Sequence, residues 1–538
     1  MFDKQLPAHP NLTQYKKQAK ELAHNCALSD ADALTRVRKH HPRIHAHPET
    51  APQASLTDAQ LVLAREHGFE SWPRFAAHIE TLRIIRSVEA ITDPVNAFIE
   101  VACIPRHADH TSGTLEHAEL ILQRYPEVAT ASIHTAAILG DESTVRRFLS
   151  SDSSLATSKG GPYEWDVLTH LAFSRYLQQD KTRADGFLHA AEALLDAGAS
   201  ASTGFYEMID HPNPRPILES AIYAVACIAR HPELTRLLLA HGADPNGDEE
   251  TAYHVAESYD NTVTRIIFES GNLNAKSRAT ILLRKTDWHD EAGLQLALDY
   301  GADPNFMTMW GNTALHHALL RDNSLSIIER LLKHGADPAL IAKHHNLSAT
   351  QIAAHRGRGD VLRLLEQRNI PLALSGVFEL IAACAKGDRE TVTRLRHLAT
   401  EFGAYGGTLL AQFAGNDNVE GLRCLLSLGI SPAALDTVGN PYFNLAKEST
   451  ALHSASWRAR PAAVNFLIAA GVPIDALDGC GRTALQLAVK ATVDSYWIYR
   501  RTPESVKALL DAGATVSGID IPCGYDEVDE LLRRATQT

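Results

Sequence analysis

What this chain lacks narrows its possibilities first. No run of about 18 apolar residues occurs, so no helix is expected to span a bilayer. The opening residues, Met1-Phe2-Asp3-Lys4, do not form a basic segment leading into an apolar stretch, and no secretory signal is expected. The seven cysteines (Cys26, Cys103, Cys227, Cys384, Cys424, Cys480 and Cys523) are scattered, odd in number and without a Cys-x-x-Cys pair. That pattern reads as reduced thiols of a cytoplasmic protein, most of them small core residues on helices. Lys and Arg number 51 against 64 Asp and Glu, a net charge of −13, with no basic block. Such a chain is repelled by phosphate backbones, and nucleic acid is not an expected partner. Signatures for phosphate cradling, zinc hydrolysis, serine nucleophiles and calcium loops are missing, so neither a cofactor nor a metal is expected.

What is present is a periodicity. The 538 residues are 45% hydrophobic and 21% charged, enough for a large core, with Ala and Leu favoured over Val and Ile. A Gly-Ala-Asp-like tripeptide returns after Leu-rich helices, as at Gly198-Ala199, Gly242-Ala243-Asp244, Gly301-Ala302-Asp303, Gly335-Ala336-Asp337, Gly471-Val472 and Gly513-Ala514. Gly242, Gly271, Gly301 and Gly335 are 29, 30 and 34 residues apart. A second signature runs in register with the first: Thr313-Ala314-Leu315-His316, Thr450-Ala451-Leu452-His453, Thr483-Ala484-Leu485-Gln486, Thr251-Ala252-Tyr253-His254 and, more weakly, Ser132-Ile133-His134.

Over roughly residues 95–535 this pattern resembles the ankyrin repeat, whose period is about 33 residues. The resemblance implies an all-α solenoid of about twelve helix–turn–helix units that must stack to bury their apolar faces. Thr caps each short helix, and Gly ends the second helix in the left-handed conformation. Domain organisation is read as an N-terminal helical cap over 1–85 and the solenoid over 86–538, closed by a polar helix from Asp526 to Ala535. The cap region shows helices over Leu12–Ala27, from Asp30 to His40, from Leu56 to a Gly68 stop, and from Ser71-Trp72-Pro73 onward. It is similar to a segment found in bacterial ankyrin proteins, to which no activity attaches.

The histidines of the repeat motif (His134, His254, His316 and His453) are read as buried, hydrogen-bonded structural groups. His40, His41, His45 and His47 form a loose, Pro-interrupted cluster that reads as a solvated linker. His107, His110 and His117 lie in an irregular loop whose closure around a metal the sequence does not show.

The departures from the pattern are more informative. The turn between the two helices of a repeat is normally small and polar, as at Leu139-Gly140-Asp141-Glu142. In the middle repeats it carries bulky groups: Arg175 and Tyr176, His231, Glu257-Ser258-Tyr259-Asp260, Arg284 through Asp290, Arg321-Asp322, and Arg356 to Arg358. Stacking should align these into one row. Three loops add aromatics and acids: Tyr163, Trp165 and Asp166; the insertion from Gly204 to Pro212; and the finger of Met309 and Trp310. A fourth insertion spans Lys490 to Thr502. Each loop either anchors a partner or packs back on the stack.

Two functional readings follow. The first is a binding module that recognises a protein partner through its concave face and finger loops. The second is a cofactor-independent hydrolase, lyase or isomerase acting on a sugar-like or anionic small molecule, with its site at residues 160–325. There Asp287, His289, Asp290, Glu257 and Asp260 would be the acid–base candidates. Arg175, Arg284 and Arg321 would position an anion, with Tyr163, Trp165, Asp166, Tyr176, His231, Tyr259, Trp288 and Trp310 completing the lining. Against both stands the plain alternative that the row consists of inter-repeat ladders, for example Asp322 with Arg284.

Overall fold

The structure, a computed structural model, describes residues 4–7, 9–42, 54–104, 114–209, 214–495 and 497–536. These group into two compact units, 1–251 and 252–538, each mostly helical with short two-stranded hairpins. Among the described residues no helix is long and apolar enough to cross a membrane.

The first unit begins with helices Leu12–Ala27, Ala31–His40, Leu56–Glu66 and Trp72–Glu89. Their starts follow the expected capping chemistry. Asn11, Asp30, Ser55 and Ser71 each accept a hydrogen bond from a backbone N–H of the first turn, and Asp58 closes a capping box with Ser55. Leu22, Val37, Val62 and Leu63 pack into one core, and Tyr15, Phe75 and Ile79 into the next. The fourth helix runs without a break across position 85.

An ion cluster locks this segment. Glu66, 2% exposed, accepts from Lys4 Nζ at 2.6 Å and from Arg36 Nε and Nη2 at 2.6 and 2.9 Å. Burial alone would raise its carboxyl pKa. The hydrogen bonds from Arg36 and Lys4 outweigh burial and hold it below the ordinary value.

Further along, helix pairs appear, first Ile133–Ile138 with Glu142–Ser151, then Val167–Ala172 followed by Arg175–Gln179 and Ala184–Asp196. The insertion after Gly204 is a β-hairpin, Gly204–Ile209 against Arg215–Ser220, registered from Gly204 opposite Ser220 to Ile209 opposite Arg215. In the Thr251 motif the cap is Asp248, whose carboxylate takes the Thr251 N–H at 2.6 Å and its hydroxyl at 2.9 Å, so Thr251 does not fill the capping position expected of it.

The second unit repeats one module. A short inner helix is followed by a turn and an outer helix, as in Ala314–Leu320 with Leu325–Lys333 and Ala451–Trp457 with Pro461–Ala469. Every residue of Ala451–Trp457 is buried, because neighbouring repeats cover both its flanks. The outer helix is two-sided: Ile327, Ile328, Leu331 and Leu332 face inward while Arg330 and Lys333 do not. Gly301, Gly335, Gly471 and Gly513 take positive φ after the outer helices, a conformation that Cβ-bearing residues enter at a cost. Paired loops project as fingers, including the short strands Ile341–Ala342 with Leu347–Ser348 and Leu435–Asp436 with Ser449–Thr450. The chain closes with the helix Asp526–Ala535. Five cysteines are buried; Cys480, on a finger, is exposed.

Replacing Glu66 by Gln should cost about 1.5–3 kcal/mol in urea unfolding, the range for hydrogen bonds to a charged group. Because the folded carboxyl is depressed, its contribution is complete above the ordinary value of 4.5 and is lost as pH falls below it. The variant should lack that acid-side dependence.

Candidate functional site

Eight inter-helix turns place one residue at positive φ: Gly140, Arg230, His289, Asp322, Gly357, Gly387, Asp417 and Ala459. Glycine is natural there, and a short polar side chain is tolerated. Within the second unit the next polar residue reaches back to the preceding turn. Asn323 Nδ2 donates to Thr286 O at 2.9 Å, Arg358 Nη1 to Asn323 O at 2.7 Å, and Asn418 Nδ2 to Ala385 O at 2.7 Å. The row expected from the sequence forms here as a ladder of side chain to carbonyl bonds.

The acid–base candidates sit in that ladder. Arg284 donates to both Glu257 and Asp287, and its guanidinium lies 3.8 Å from the Tyr253 ring centroid. Asp287 also accepts from Arg321 Nε at 2.6 Å and His317 Nε2 at 2.8 Å. Burial would raise its pKa, but His317 and Arg321 hold it far below the carboxylate range. A carboxylate with three donors and a depressed pKa is a poor proton carrier near neutral pH. Glu257 is likewise lowered against its burial, by His254 and Arg284.

Asp290, 4% exposed, caps its helix at Gly293 N (2.9 Å) and takes the buried Lys285 Nζ at 2.9 Å. Asp260 is exposed and accepts from Thr262 N at 3.0 Å, two residues before the helix Thr262–Glu269. Burial, with Arg458 and Arg500 nearby, pushes His289 down to about 4, so it is neutral at pH 7. Tyr259, largely exposed, donates to Trp288 O at 2.7 Å.

One expected ladder pair is different. Arg284 does not meet Asp322; Asp322 is buried beneath Arg356, which donates Nε at 2.8 Å and a second bond from Nη2, and Arg458 Nη1 at 2.9 Å. Arg458 comes from a repeat four inner helices further along. Burial would raise the Asp322 pKa, and the two arginines reverse that. The finger between Leu435 and Thr450 covers this centre. Tyr442 lies 3.8 Å from the Arg321 guanidinium and donates to Asp287 O at 2.9 Å, while Phe443 lies 3.7 Å from Arg458. The sequence reading missed Tyr442, Phe443, Arg458 and His317. The unusual length of that finger was the available signal.

In the first unit the predicted residues also serve packing. Trp165 is buried and stacked on Phe205 with centroids 4.4 Å apart, and Tyr163 lies against it at 4.8 Å. Asp166 caps Thr169 N at 2.9 Å. Arg175 is buried and donates to Cys103 O at 3.1 Å; burial lowers its pKa. Tyr176 is fully buried beside Arg183. His231 accepts from Leu234 N at 3.2 Å, and its Nε2 donates to Ala184 O at 3.2 Å.

A model of ankyrin repeats, in three copies, matches residues 288–372. The chain carries ankyrin repeats. Among solved structures the human ASB11 ankyrin repeat domain is similar at 19% identity, covering 56% of this chain and 100% of that one with a TM-score of 0.22. No curated protein matches.

The ankyrin histidines are structural in the way the repeat requires. His316 Nδ1 bonds the Thr313 hydroxyl at 2.7 Å and its Nε2 donates to Leu340 O at 2.8 Å. His453 repeats this with Thr450 at 2.9 Å and with the Ala476 and Arg482 carbonyls at 3.0 Å. One ring thus joins a helix start to the following finger. His134 instead meets His170 at 3.2 Å, and His254 donates to Glu257 at 2.9 Å. His41 bonds Asp58 at 2.9 Å rather than being solvated; His45, His47, His107 and His110 lie outside the described residues, as do Asp210, His211, Pro212 and Tyr496. No group of three metal-ligating side chains occurs among the described residues.

The fingers of the ankyrin repeats differ from the turns in having little to bond. Met309, Ile341, Leu435, Val438 and Leu477 are 44–61% exposed. Trp310 is half-buried beside Tyr253 at 5.7 Å. In the first unit the hairpin exposes Tyr206 and Met208. The 490–502 insertion ends the inner helix at Val493 and continues as a short turn of 3-10 helix, with Trp497 buried against Phe443 and Trp457.

Asp322→Asn should cost about 3–5 kcal/mol in urea unfolding, because two buried guanidiniums lose their carboxylate. Asp260→Asn, at an exposed position in the turn before a helix, should cost much less. The Asp322 contribution is present above the ordinary carboxyl value of 3.8 and is lost only as pH falls below it.

Proposed function

We propose that the protein is a binding module that recognises a protein partner through its concave face, with the finger tips as anchors. Ankyrin repeats mediate protein–protein interaction, and stacked repeats present extended surfaces for it. One observation carries this reading for the present chain. The fingers at 306–312, 341–348, 435–449 and 475–483 hold exposed apolar side chains, while the polar side chains of the turns are bonded to neighbouring repeats.

Exposed Met and aliphatic side chains on loops fixed by a rigid stack give desolvation area at low ordering cost. Adjacent fingers are tied together, Lys343 N to Gly311 O at 2.8 Å and Gly479 N to Lys447 O at 2.9 Å, so their tips are held in fixed pairs. The carboxylates at 257, 287, 290 and 322 contribute rigidity to the stack rather than proton transfer.

The test is a triple variant, Met309→Ser, Ile341→Ser and Leu477→Ser. Its melting temperature should stay within about 2 °C of the parent, since exposed substitutions shift stability little. Proteins captured by the parent from lysate of the source organism should be reduced at least tenfold with the variant. Unchanged capture by a folded variant would rule the fingers out.

A further inference from the structure

The two pairs of fingers in the second unit differ in charge. Between Asp303 and Asp322, and again between Asp337 and Asp360, the chain has no acidic residue, although its net charge is −13. The first finger pair, 306–312 with 341–348, lies inside those two stretches. Its only ionisable side chains are Lys343, His344 and His345, consecutive and all exposed at the tip. Among the described residues none of the three makes an ion pair or a side-chain hydrogen bond. Asp303 and Asp337 stand at the finger roots, where their carboxylates accept from Asn305 N at 2.8 Å and Ala339 N at 2.9 Å. The second pair, 435–449 with 475–483, is mixed: Lys447 and Arg482 stand among Asp436, Glu448, Asp475 and Asp478. There Arg482 is already paired with Asp478 at 2.8 Å.

The tips of the first pair are held against each other. Gly311, at φ +66°, accepts from Lys343 N at 2.8 Å. A Cβ at that position would come within 2.8 Å of the His344 ring and 3.0 Å of Lys343 Cβ, so glycine is what lets the cationic tip close on the preceding finger. Met309 and Ile341 are exposed on the same two fingers. Cations and apolar side chains therefore share a surface whose backbone is fixed before any partner arrives.

We propose that this finger pair recognises an acidic segment of a partner protein that carries large apolar side chains among its carboxylates. The proposal rests on the finger-tip reading above and adds the chemical class of the partner. Lys343 supplies an ammonium, and His344 and His345 supply N–H donors in either protonation state. Carboxylates of the segment accept from these groups, while its apolar side chains cover Met309 and Ile341. A chain of net negative charge repels such a segment in general, so cations confined to one finger pair fix where it docks. A nucleic acid would meet the cations and leave Met309 and Ile341 uncovered.

The experiment is fluorescence anisotropy of the full-length protein with short labelled peptides. One carries Glu residues on either side of a Leu-Phe pair; a second has Lys for each Glu; a third has Ser for Leu and Phe. The first should bind saturably, and about tenfold more weakly in salt raised to about 0.5 M or in the triple variant Lys343→Ser, His344→Ser, His345→Ser. That variant should melt within about 2 °C of the parent, which separates lost binding from lost folding. Binding should be unchanged in Lys447→Ser, at the exposed lysine of the other finger pair. No saturable binding of the first peptide overturns the proposal, as does equal binding of either other peptide or of a single-stranded oligonucleotide, or equal loss in Lys447→Ser. If the acidic peptide fails while the Met309→Ser, Ile341→Ser, Leu477→Ser variant still loses lysate capture, the fingers stand as anchors and the acidic class alone falls. If that variant keeps its capture, the finger reading falls with it.

Discussion

A helix of seven residues paired with one of nine cannot bury its own apolar side, and that constraint organises the second unit. Each pair in the second unit is stable only between neighbours, so its inner helix is covered on both flanks, as Ala451–Trp457 shows. Burying a Leu contributes about 1.5–3 kcal/mol, but only when the next repeat arrives. Within the second unit stacking also brings inter-helix turns against the turn before, where backbone carbonyls are left open. Asn323, Arg358 and Asn418 close them. The polar row is a consequence of stacking before it is anything else.

The same logic explains why the carboxylates of the row make poor acids and bases. A carboxyl group acts near neutral pH when burial raises its pKa without an opposing cation. Asp287, Glu257 and Asp322 are buried, yet each has guanidinium or imidazole donors at contact distance and is shifted the other way. Burial, together with Arg458 and Arg500, moves His289 toward neutrality against the opposing pull of Asp322 and Asp287. These directions fit a scaffold whose inner edge is made rigid by charge pairs.

How far this could be read from the sequence depended on whether a feature is local. Helix starts at Asn11, Asp30, Ser55, Thr313 and Thr483 follow from a side chain and an N–H three residues on, and they were legible. So was the role of His316 and His453, because Thr-Ala-Leu-His repeats in register. The left-handed turn position was legible at Gly140, Gly357 and Gly387 and hidden at His289, Asp322 and Ala459, where the residue type gives no sign of it. The Arg284–Asp322 pairing failed for a different reason. Nearest-neighbour repeats suggested it, but Arg458 reaches Asp322 across 136 positions of sequence, and no period encodes that contact. Trp165 was ambiguous because its partner, Phe205, lies on a hairpin inserted outside the repeat.

The finger of Tyr442 and Phe443 joins these strands of argument. An isolated buried guanidinium costs several kcal/mol, and each aromatic face returns about 0.5–2 kcal/mol. Tyr442 meets an arginine that already has a carboxylate, so stacking there adds to a finished pair. Phe443 lies against Arg458, and Trp497 lies against both Arg458 and Arg500, so aromatic faces also line the arginines gathered beside Asp322.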